Sequence, residues 1–127
     1  MTSPLPLLLL LLGVSLSQAQ LRIYDLRASG LDADPTTRAD GYVKVFCNGA
    51  SLGQTSFKKD EANPWWSEEF TYYNTQGNIL LKLEVHDRDL MYDDWLGGCE
   101  RTVKAGTHRE NCPLQKGGTL YFSYTLN

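Results

Sequence analysis

The chain has 127 residues, 42% of them hydrophobic, and its 12 basic and 15 acidic side chains give a formal net charge of −3. That length favours a single domain. The sequence contains no basic run, which argues against nucleic-acid binding, and no lysine cluster, so any membrane binding would not be of the polybasic kind.

The chain begins with a hydrophobic leader. Leucines fill positions 7 to 12 and Val14 and Leu16 follow, a run shorter than the roughly 20 apolar residues that span a bilayer. It ends in Ser17-Gln18-Ala19, a small-x-small cleavage pattern. We therefore predict a signal peptide over residues 1–19, and a secreted, extracellular single domain over residues 20–127 that keeps the net charge of −3.

Strand patterns dominate the rest of the chain. Apolar and polar residues alternate in the clearest segments, and turn signals such as Asn48-Gly49 and Asn63-Pro64 separate them. Several short strands at this spacing indicate an all-β fold, either a sandwich or a barrel. In chain order, the predicted strands are residues 21–28, 42–47, 52–57, 66–73, 79–86, 96–103, 107–112 and 119–126.

Three cysteines follow the leader, and secretion favours a disulfide between two of them. Cys47 shares one face of its predicted strand with Val43 and Val45, where a small buried thiol fits. Cys99 and Cys112 are therefore the better pair. Cys47 is then either an inert free thiol or the site of an intermolecular bridge.

Aspartates crowd two segments that are far apart in the sequence. Alternate loops of an antiparallel sandwich emerge at the same end, so these segments could face each other. Their carboxylates would then repel one another unless a hard cation such as Ca²⁺, which takes oxygen ligands from flexible loops, were bound. Asp is also a common turn residue without any ligand, but two acidic loops on one sandwich favour the metal site. The aspartates are Asp32, Asp34 and Asp40 in the first segment, and Asp87, Asp89, Asp93 and Asp94 in HDRDLMYDDWLGG, residues 86–98.

These motifs resemble those of the C2 domain, a calcium-dependent, phospholipid-binding β-sandwich. They cover the predicted mature chain in order, and they are similar to the C2 domains at the C-terminal end of perforins, including Cys99 and Cys112 after Leu96-Gly97-Gly98. The matching motifs are Asp34-x5-Asp40 followed by Gly41-Tyr42-Val43-Lys44-Val45, then Asn63-Pro64-Trp65-Trp66-Ser67, then Val85-x-Asp87-x-Asp89 leading to Asp94-x-x-Gly97.

The resemblance implies an eight-stranded antiparallel β-sandwich with two or three Ca²⁺ ions. Asp93 is an additional candidate ligand because its loop is one residue shorter than is common in the family, whereas Asp32 lies outside the pattern. Carried over by position, the ligands are Asp34, Asp40, Asp87, Asp89 and Asp94.

Three apolar residues, Leu90, Met91 and Tyr92, lie between Asp89 and Asp93, and we refer to them as the apex. Bound calcium would reverse the local field and leave coordination positions open for a lipid phosphate. Leu90, Met91 and Tyr92 could then enter the interface of an anionic or zwitterionic phospholipid membrane. We predict that these three residues contact the membrane and that Trp95 packs at the base of the loop.

We therefore predict a secreted, calcium-dependent membrane-binding module in an immune context, without a pore-forming domain. One alternative is a microbe-surface or lectin-like binder whose metal tip grips sugar hydroxyls or bacterial phosphates. Another is an adaptor or inhibitor that binds a separate protein. An enzyme is not expected, because His86 and His108 are the only histidines and no serine or cysteine has a base motif around it.

Overall fold

The computed structural model describes residues 19–31 and 38–127. Except for Ala19, the predicted signal peptide lies outside the described residues, and so does Asp34, a predicted calcium ligand. Within the described ranges every regular element is a β-strand. No helix there is long and apolar enough to cross a membrane.

The described residues form nine strands, and the predicted all-β antiparallel fold is confirmed. The count exceeds eight because the predicted strand at 66–73 is divided in two. β1 has a bulge after Tyr24, with Asp25 at a φ of 56°, so one partner strand pairs before the bulge and another after it. The strands are β1 (Leu21–Ser29), β2 (Gly41–Cys47), β3 (Ala50–Gln54), β4 (Trp65–Trp66), β5 (Phe70–Tyr72), β6 (Leu80–Asp87), β7 (Asp94–Thr102), β8 (Gly106–Pro113) and β9 (Thr119–Leu126).

Two antiparallel sheets make up the sandwich. One has the order β4-β1-β9-β8, with β5 also pairing with β1, and the other has the order β3-β2-β6-β7. The core lies between them, where alternate residues of each strand point inward. On β6 the inward positions Leu81, Leu83 and Val85 are fully buried, and the next inward position is Asp87. The alternation that buries the core therefore also draws one carboxylate inward at the end of the sandwich.

The two adjacent tryptophans have different environments. Trp66 is fully buried and its indole Nε1–H donates to the carbonyl of Gly41 at 3.1 Å, whereas Trp65 is 57% exposed. This bond ties β4 of one sheet to the start of β2 in the other. That start is the point at which the chain leaves the first acidic segment.

A disulfide joins the two sheets. Cys99 on β7 is bonded to Cys112 on β8, and their Cα atoms are 6.2 Å apart, so the predicted pairing is confirmed. Closing a loop of this size stabilises the fold by about 3 kcal/mol in the chain-entropy treatment. Cys47 is a free thiol in the core, where burial raises its pKa to about 11.

The segment after β8 runs along the outer edge of β7. The Gln115 side-chain amide accepts from the Gly98 N–H at 2.8 Å and donates to the Gly98 carbonyl at 3.1 Å. The Lys116 N–H donates to the carbonyl of Leu96 at 2.9 Å. Gly98 is required here, because a Cβ atom would lie 2.6 Å from the carbonyl oxygen of Leu83.

Candidate metal centre

Strand register brings the two acidic segments to one end of the four-stranded sheet. Gly41, the first residue of β2, lies opposite Asp87, and Asp87 lies opposite Asp94, the first residue of β7. Asp40, next to Gly41, therefore lies beside Asp87. The prediction that the two loops converge is confirmed for Asp40, whereas Asp34 lies outside the described residues.

Two hydrogen bonds fix this convergence. The Asp40 N–H donates to Asp87 Oδ1 at 2.7 Å, and the Arg88 N–H donates to the Asp40 carbonyl at 2.9 Å. The segment before β2 and the segment after β6 thereby each donate one hydrogen bond to the other. The Asp87 side chain is held at the base of the tip, where only 8% of the residue is exposed.

A third segment, which was not predicted from the sequence, reaches the same end. Lys58, between β3 and β4, forms an isolated bridge with Gly41, and the Asp60 N–H donates to Asp40 Oδ1 at 2.6 Å. Asp60 adopts a left-handed backbone with a φ of 54°, which Asp tolerates better than most residues. The only sequence signal was the polar run Lys58-Lys59-Asp60 after a strand.

The inner aspartates repel one another. Burial raises the pKa of the Asp87 carboxyl, and the nearby charges of Asp40, Asp94 and Asp89 raise it further, although the hydrogen bond from the Asp40 N–H opposes this change. A buried carboxylate among three others is a costly arrangement for a tip without a cation. We refer to Asp40, Asp87, Asp89 and Asp94 as the inner cluster.

Both carboxylate oxygens of Asp93 accept hydrogen bonds from protein groups. Its Oδ2 accepts a hydrogen bond from the Tyr42 hydroxyl, and its Oδ1 accepts from the Asp89 N–H at 3.2 Å. The Tyr42 bond lowers the pKa of Asp93, while burial and the bonded Asp93 raise that of Tyr42 to about 12. The Tyr42 ring also stacks on His86, with ring centroids 5.5 Å apart. Asp93 thus ties the second loop to the outer face of the sheet.

The apolar apex projects into solvent. Leu90 is 101% exposed, Met91 81% and Tyr92 77%. The Leu90 N–H donates to Asp89 Oδ1 at 2.6 Å, which links the apex directly to the inner cluster. Trp95 lies on β7 below the loop, opposite His86, and is 39% exposed, so it packs only partly at the loop base.

The carboxylates of the inner cluster are the type of ligand that a hard cation prefers. Its carboxylates come from separate segments of the chain, as in flexible, oxygen-rich calcium sites. Among the described residues, no three acidic, histidine or cysteine side chains are arranged so that they could hold a metal ion. The predicted ligand set also includes Asp34 from the undescribed range, so this set stays a prediction.

Comparisons with known proteins agree on one family. The C2 domain family model matches residues 19–118. Perforin-1 of Rattus norvegicus is 34% identical over 116 residues, which cover 86% of this chain, and perforin-1 of Homo sapiens is 38% identical over 113 residues, which cover 84%. The matched regions are 20% and 19% of those two relatives, so the chain corresponds to about a fifth of their length.

Solved structures share the fold. One described as the structure of a C2 domain superposes with a TM-score of 0.82 and 53% identity, covering 87% of this chain and 99% of that chain. A calcium-bound structure of two C2 domains of extended-synaptotagmin 2 superposes with a TM-score of 0.73. It is 22% identical and covers 86% of this chain and 45% of that chain, so this likeness concerns the fold alone.

Proposed function

Because the chain belongs to the C2 domain family, we propose that it is a secreted, calcium-dependent module that docks on phospholipid membranes. The observation that carries the proposal is the inner cluster around buried Asp87, directly beside an apex of exposed apolar side chains. Either feature alone would be unfavourable on a free soluble domain. Together they suit a surface that first gathers cations and then meets lipid.

The inner cluster would supply the metal ligands. Asp40, Asp87, Asp89 and Asp94 provide carboxylate oxygens, and the family resemblance adds Asp34. When bound, two or three Ca²⁺ ions would neutralise the cluster and offer coordination positions to a lipid phosphate. Asp93 serves a different purpose in this proposal, since its two oxygens are engaged by Tyr42 and by the Asp89 N–H. It holds the loop in place instead of binding the ion.

The apex would enter the membrane interface. Leu90, Met91 and Tyr92 are the three most exposed large hydrophobic residues of the described chain. Burying roughly 200 Å² of apolar surface contributes about 5 kcal/mol before the cost of ordering the loop. That energy supports reversible docking and not permanent insertion, and the ring of Tyr92 suits headgroup depth.

The calcium affinity expected of such a site is consistent with an extracellular place of action. Extracellular calcium modules bind with dissociation constants on the order of 10⁻⁴–10⁻³ M. Where free extracellular calcium exceeds that range the site would stay loaded, and calcium would then act as part of the structure more than as a switch. We propose a binding role and not a catalytic one, because the tip residues that the structure describes offer carboxylates without a nucleophile and base in contact.

Calorimetric titration with Ca²⁺ tests the proposal, followed by sedimentation of the same sample with phosphatidylcholine and phosphatidylserine vesicles. We expect saturable calcium binding, vesicle binding that requires calcium, and release by a chelator. Absence of binding to every lipid mixture at millimolar calcium would contradict the proposal. Elution by a simple sugar would instead favour the microbe-surface or lectin-like function, and calcium-independent capture of one protein would favour an adaptor or inhibitor.

A further inference from the structure

Strand register sets four outward side chains in one row across the outer face of the five-stranded sheet, the face that points away from the core. Arg27 on β1 lies opposite Trp65 on β4 and opposite Tyr121 on β9, and Tyr121 lies opposite Asn111 on β8. Neighbouring strands are about 4.8 Å apart, so the row is roughly 14 Å long. Two aromatic rings, a guanidinium group and an amide thus stand side by side on this face.

A depression lies beside this row. Ser123 on β9 is the next outward residue after Tyr121, and its register partners are Tyr24 on β1 and Arg109 on β8. Because a serine side chain is shorter than these neighbours, Ser123 forms the floor of a cleft of about 170 Å³, and only 4% of the residue is exposed. The residues that line the cleft include Arg27, Arg109, Glu110, Asn111, Tyr121 and Ser123.

Several polar groups of the cleft are without a partner. Within the described part of the chain, no hydrogen bond is found for the Ser123 hydroxyl, the Asn111 side-chain amide or the Arg109 guanidinium group. The one fully enclosed side-chain oxygen without a partner there is Glu68 Oε1, so the Ser123 hydroxyl is open to the cleft. Since the rest of Ser123 is buried, only a group that enters the cleft can bond to this hydroxyl.

The charges around the cleft leave one positive charge uncompensated. The Arg27 guanidinium pairs with Asp25 at 3.0 Å, and the Glu110 carboxylate lies 3.4 Å from Arg101 Nε. Arg109 is exposed and takes part in none of the ion pairs found in the described ranges. One unpaired cation fits a ligand with a single negative charge, and it fits a polyanion such as heparin or a nucleic acid poorly.

Two aromatic rings provide flat apolar surface beside these donors. The Arg27 guanidinium carbon lies 5.2 Å from the centroid of the Tyr121 ring, and Trp65 is 57% exposed. Sugar rings pack their C–H faces against such rings, while their hydroxyl groups bond to side chains such as Asn and Ser. An extended peptide suits the site less well, because its backbone groups pair with a free strand edge, and on a sheet face those groups are already used in the ladder.

We infer that this face binds an oligosaccharide that carries one carboxylate. Arg109 pairs with the carboxylate through two parallel N–H···O bonds, and Ser123 and Asn111 donate to the same sugar. Tyr121 and Trp65 then support the neighbouring sugar rings along the row. The inference goes beyond the proposed function, since the site lies on the outer face of the other sheet and involves neither calcium nor lipid.

Titration followed by NMR tests the inference. Isotope-labelled protein is titrated with sialyllactose, which carries one carboxylate, and with lactose, which has none, at saturating calcium and again in a chelator. We expect shifts centred on the Asn111 side-chain amide and the backbone amides of Tyr121 and Ser123, with the same affinity in both conditions. Lactose should bind at least about tenfold more weakly, as for the loss of one charge-assisted hydrogen bond.

Three variants locate the site. Arg109→Gln removes the unpaired charge and should weaken sialyllactose binding by at least about tenfold while leaving lactose binding unchanged, a difference that misfolding would not produce. The matched control, Lys104→Gln, removes the same charge from the exposed turn between β7 and β8 and should match the wild type. Ser123→Ala should weaken binding by about threefold, the effect of one neutral hydrogen bond.

Four results would overturn the inference. The first is the absence of shifts at these amides with sialyllactose, and the second is equal sialyllactose binding by Arg109→Gln and the wild type. The third is loss of binding in the chelator with the amide spectrum intact, which would place the sugar at the metal tip. The fourth is a stronger response of the same amides to tetraglutamate, which would assign the cleft to an acidic peptide. Vesicle binding is measured separately, so the proposed function stands or fails independently.

Discussion

Two carboxylates of the same tip, Asp87 and Asp93, have opposite environments. Asp87 is buried among like charges and its pKa is raised, whereas Asp93 is exposed, bonded to Tyr42 and the Asp89 N–H, and its pKa is lowered. Above its ordinary pKa, the ionised Asp87 therefore costs folding free energy in the metal-free protein, while Asp93 contributes to it. The inner side of the tip holds unrelieved charge that a cation could relieve, and the outer side fixes the loop.

Asp87→Asn should have the largest effect, because it removes the charge of the buried carboxylate. Its amide oxygen can still accept from the Asp40 N–H, but the ligand charge is lost, so we expect calcium affinity to fall by about a hundredfold. Without calcium the variant should be more stable than the wild type at pH 7, and this advantage should shrink as the pH falls and Asp87 becomes protonated. Calorimetry measures the calcium affinity, and thermal unfolding measures the stability of the metal-free variant. A metal-free variant less stable than the wild type would contradict the repulsion argument.

Leu90→Ser/Met91→Ser tests the contribution of the apex without changing either carboxylate. Losing most of two exposed apolar side chains removes about 2–3 kcal/mol of docking energy, which is roughly 30- to 150-fold in vesicle affinity. Calcium affinity should be unchanged, since neither side chain offers an oxygen ligand. Vesicle sedimentation measures the lipid affinity and calorimetry on the same sample measures the calcium affinity. Full retention of vesicle binding would rule out insertion of the apex without bearing on the metal site.

Asp94→Asn and Asp93→Asn sharpen the division between the two sides of the tip. Asp94 lies opposite Asp87 in the strand register, and its removal should weaken calcium binding by about tenfold. Asp93 faces Tyr42, and its removal should change calcium affinity by less than about threefold, because an amide oxygen can still accept the Tyr42 hydroxyl. Parallel calcium titrations decide the matter. Equal losses would place Asp93 among the ligands.

Tyr42→Phe should have the smallest effect. It keeps the ring that stacks on His86 and removes only the hydroxyl bonded to Asp93. Because Asp93 is exposed, we expect a loss below about 1 kcal/mol at pH 7. That loss should disappear as the pH falls through the lowered pKa of Asp93, since the bond favours the ionised carboxylate. Urea unfolding at several pH values tests this, and a loss independent of pH would point to packing instead.

Most of the fold could be predicted from the sequence, because it depends on one signal, the alternation of apolar and polar residues along each strand. Leu81, Leu83 and Val85 were expected on one face, and all three are fully buried. Membership of the C2 domain family, the similarity to perforin and the pairing of Cys99 with Cys112 were likewise confirmed. The division of the predicted strand at 66–73 was missed, because its cause is the bulge at Asp25, on a different strand.

Less of the site could be predicted. The convergence of Asp40 and Asp87 followed from antiparallel geometry, but the orientation of Asp93 depends on Tyr42, whose place beside it is set by strand pairing. Lys58 and Asp60 take part through their backbone N–H groups, which bond to the Gly41 carbonyl and the Asp40 carboxylate, and side-chain patterns do not encode such bonds. Calcium binding and membrane docking therefore stay predictions.

The bonds along β7 bear on how copies of the molecule behave when crowded on a surface. An uncovered sheet edge offers its N–H and C=O groups to a strand of another chain, which is one route to aggregation. On β7 the carbonyl of Leu96 and both backbone groups of Gly98 are already bonded to Lys116 and Gln115. That stretch of the edge is therefore unavailable to a strand of a neighbouring copy, so copies could crowd together without their sheets pairing through it.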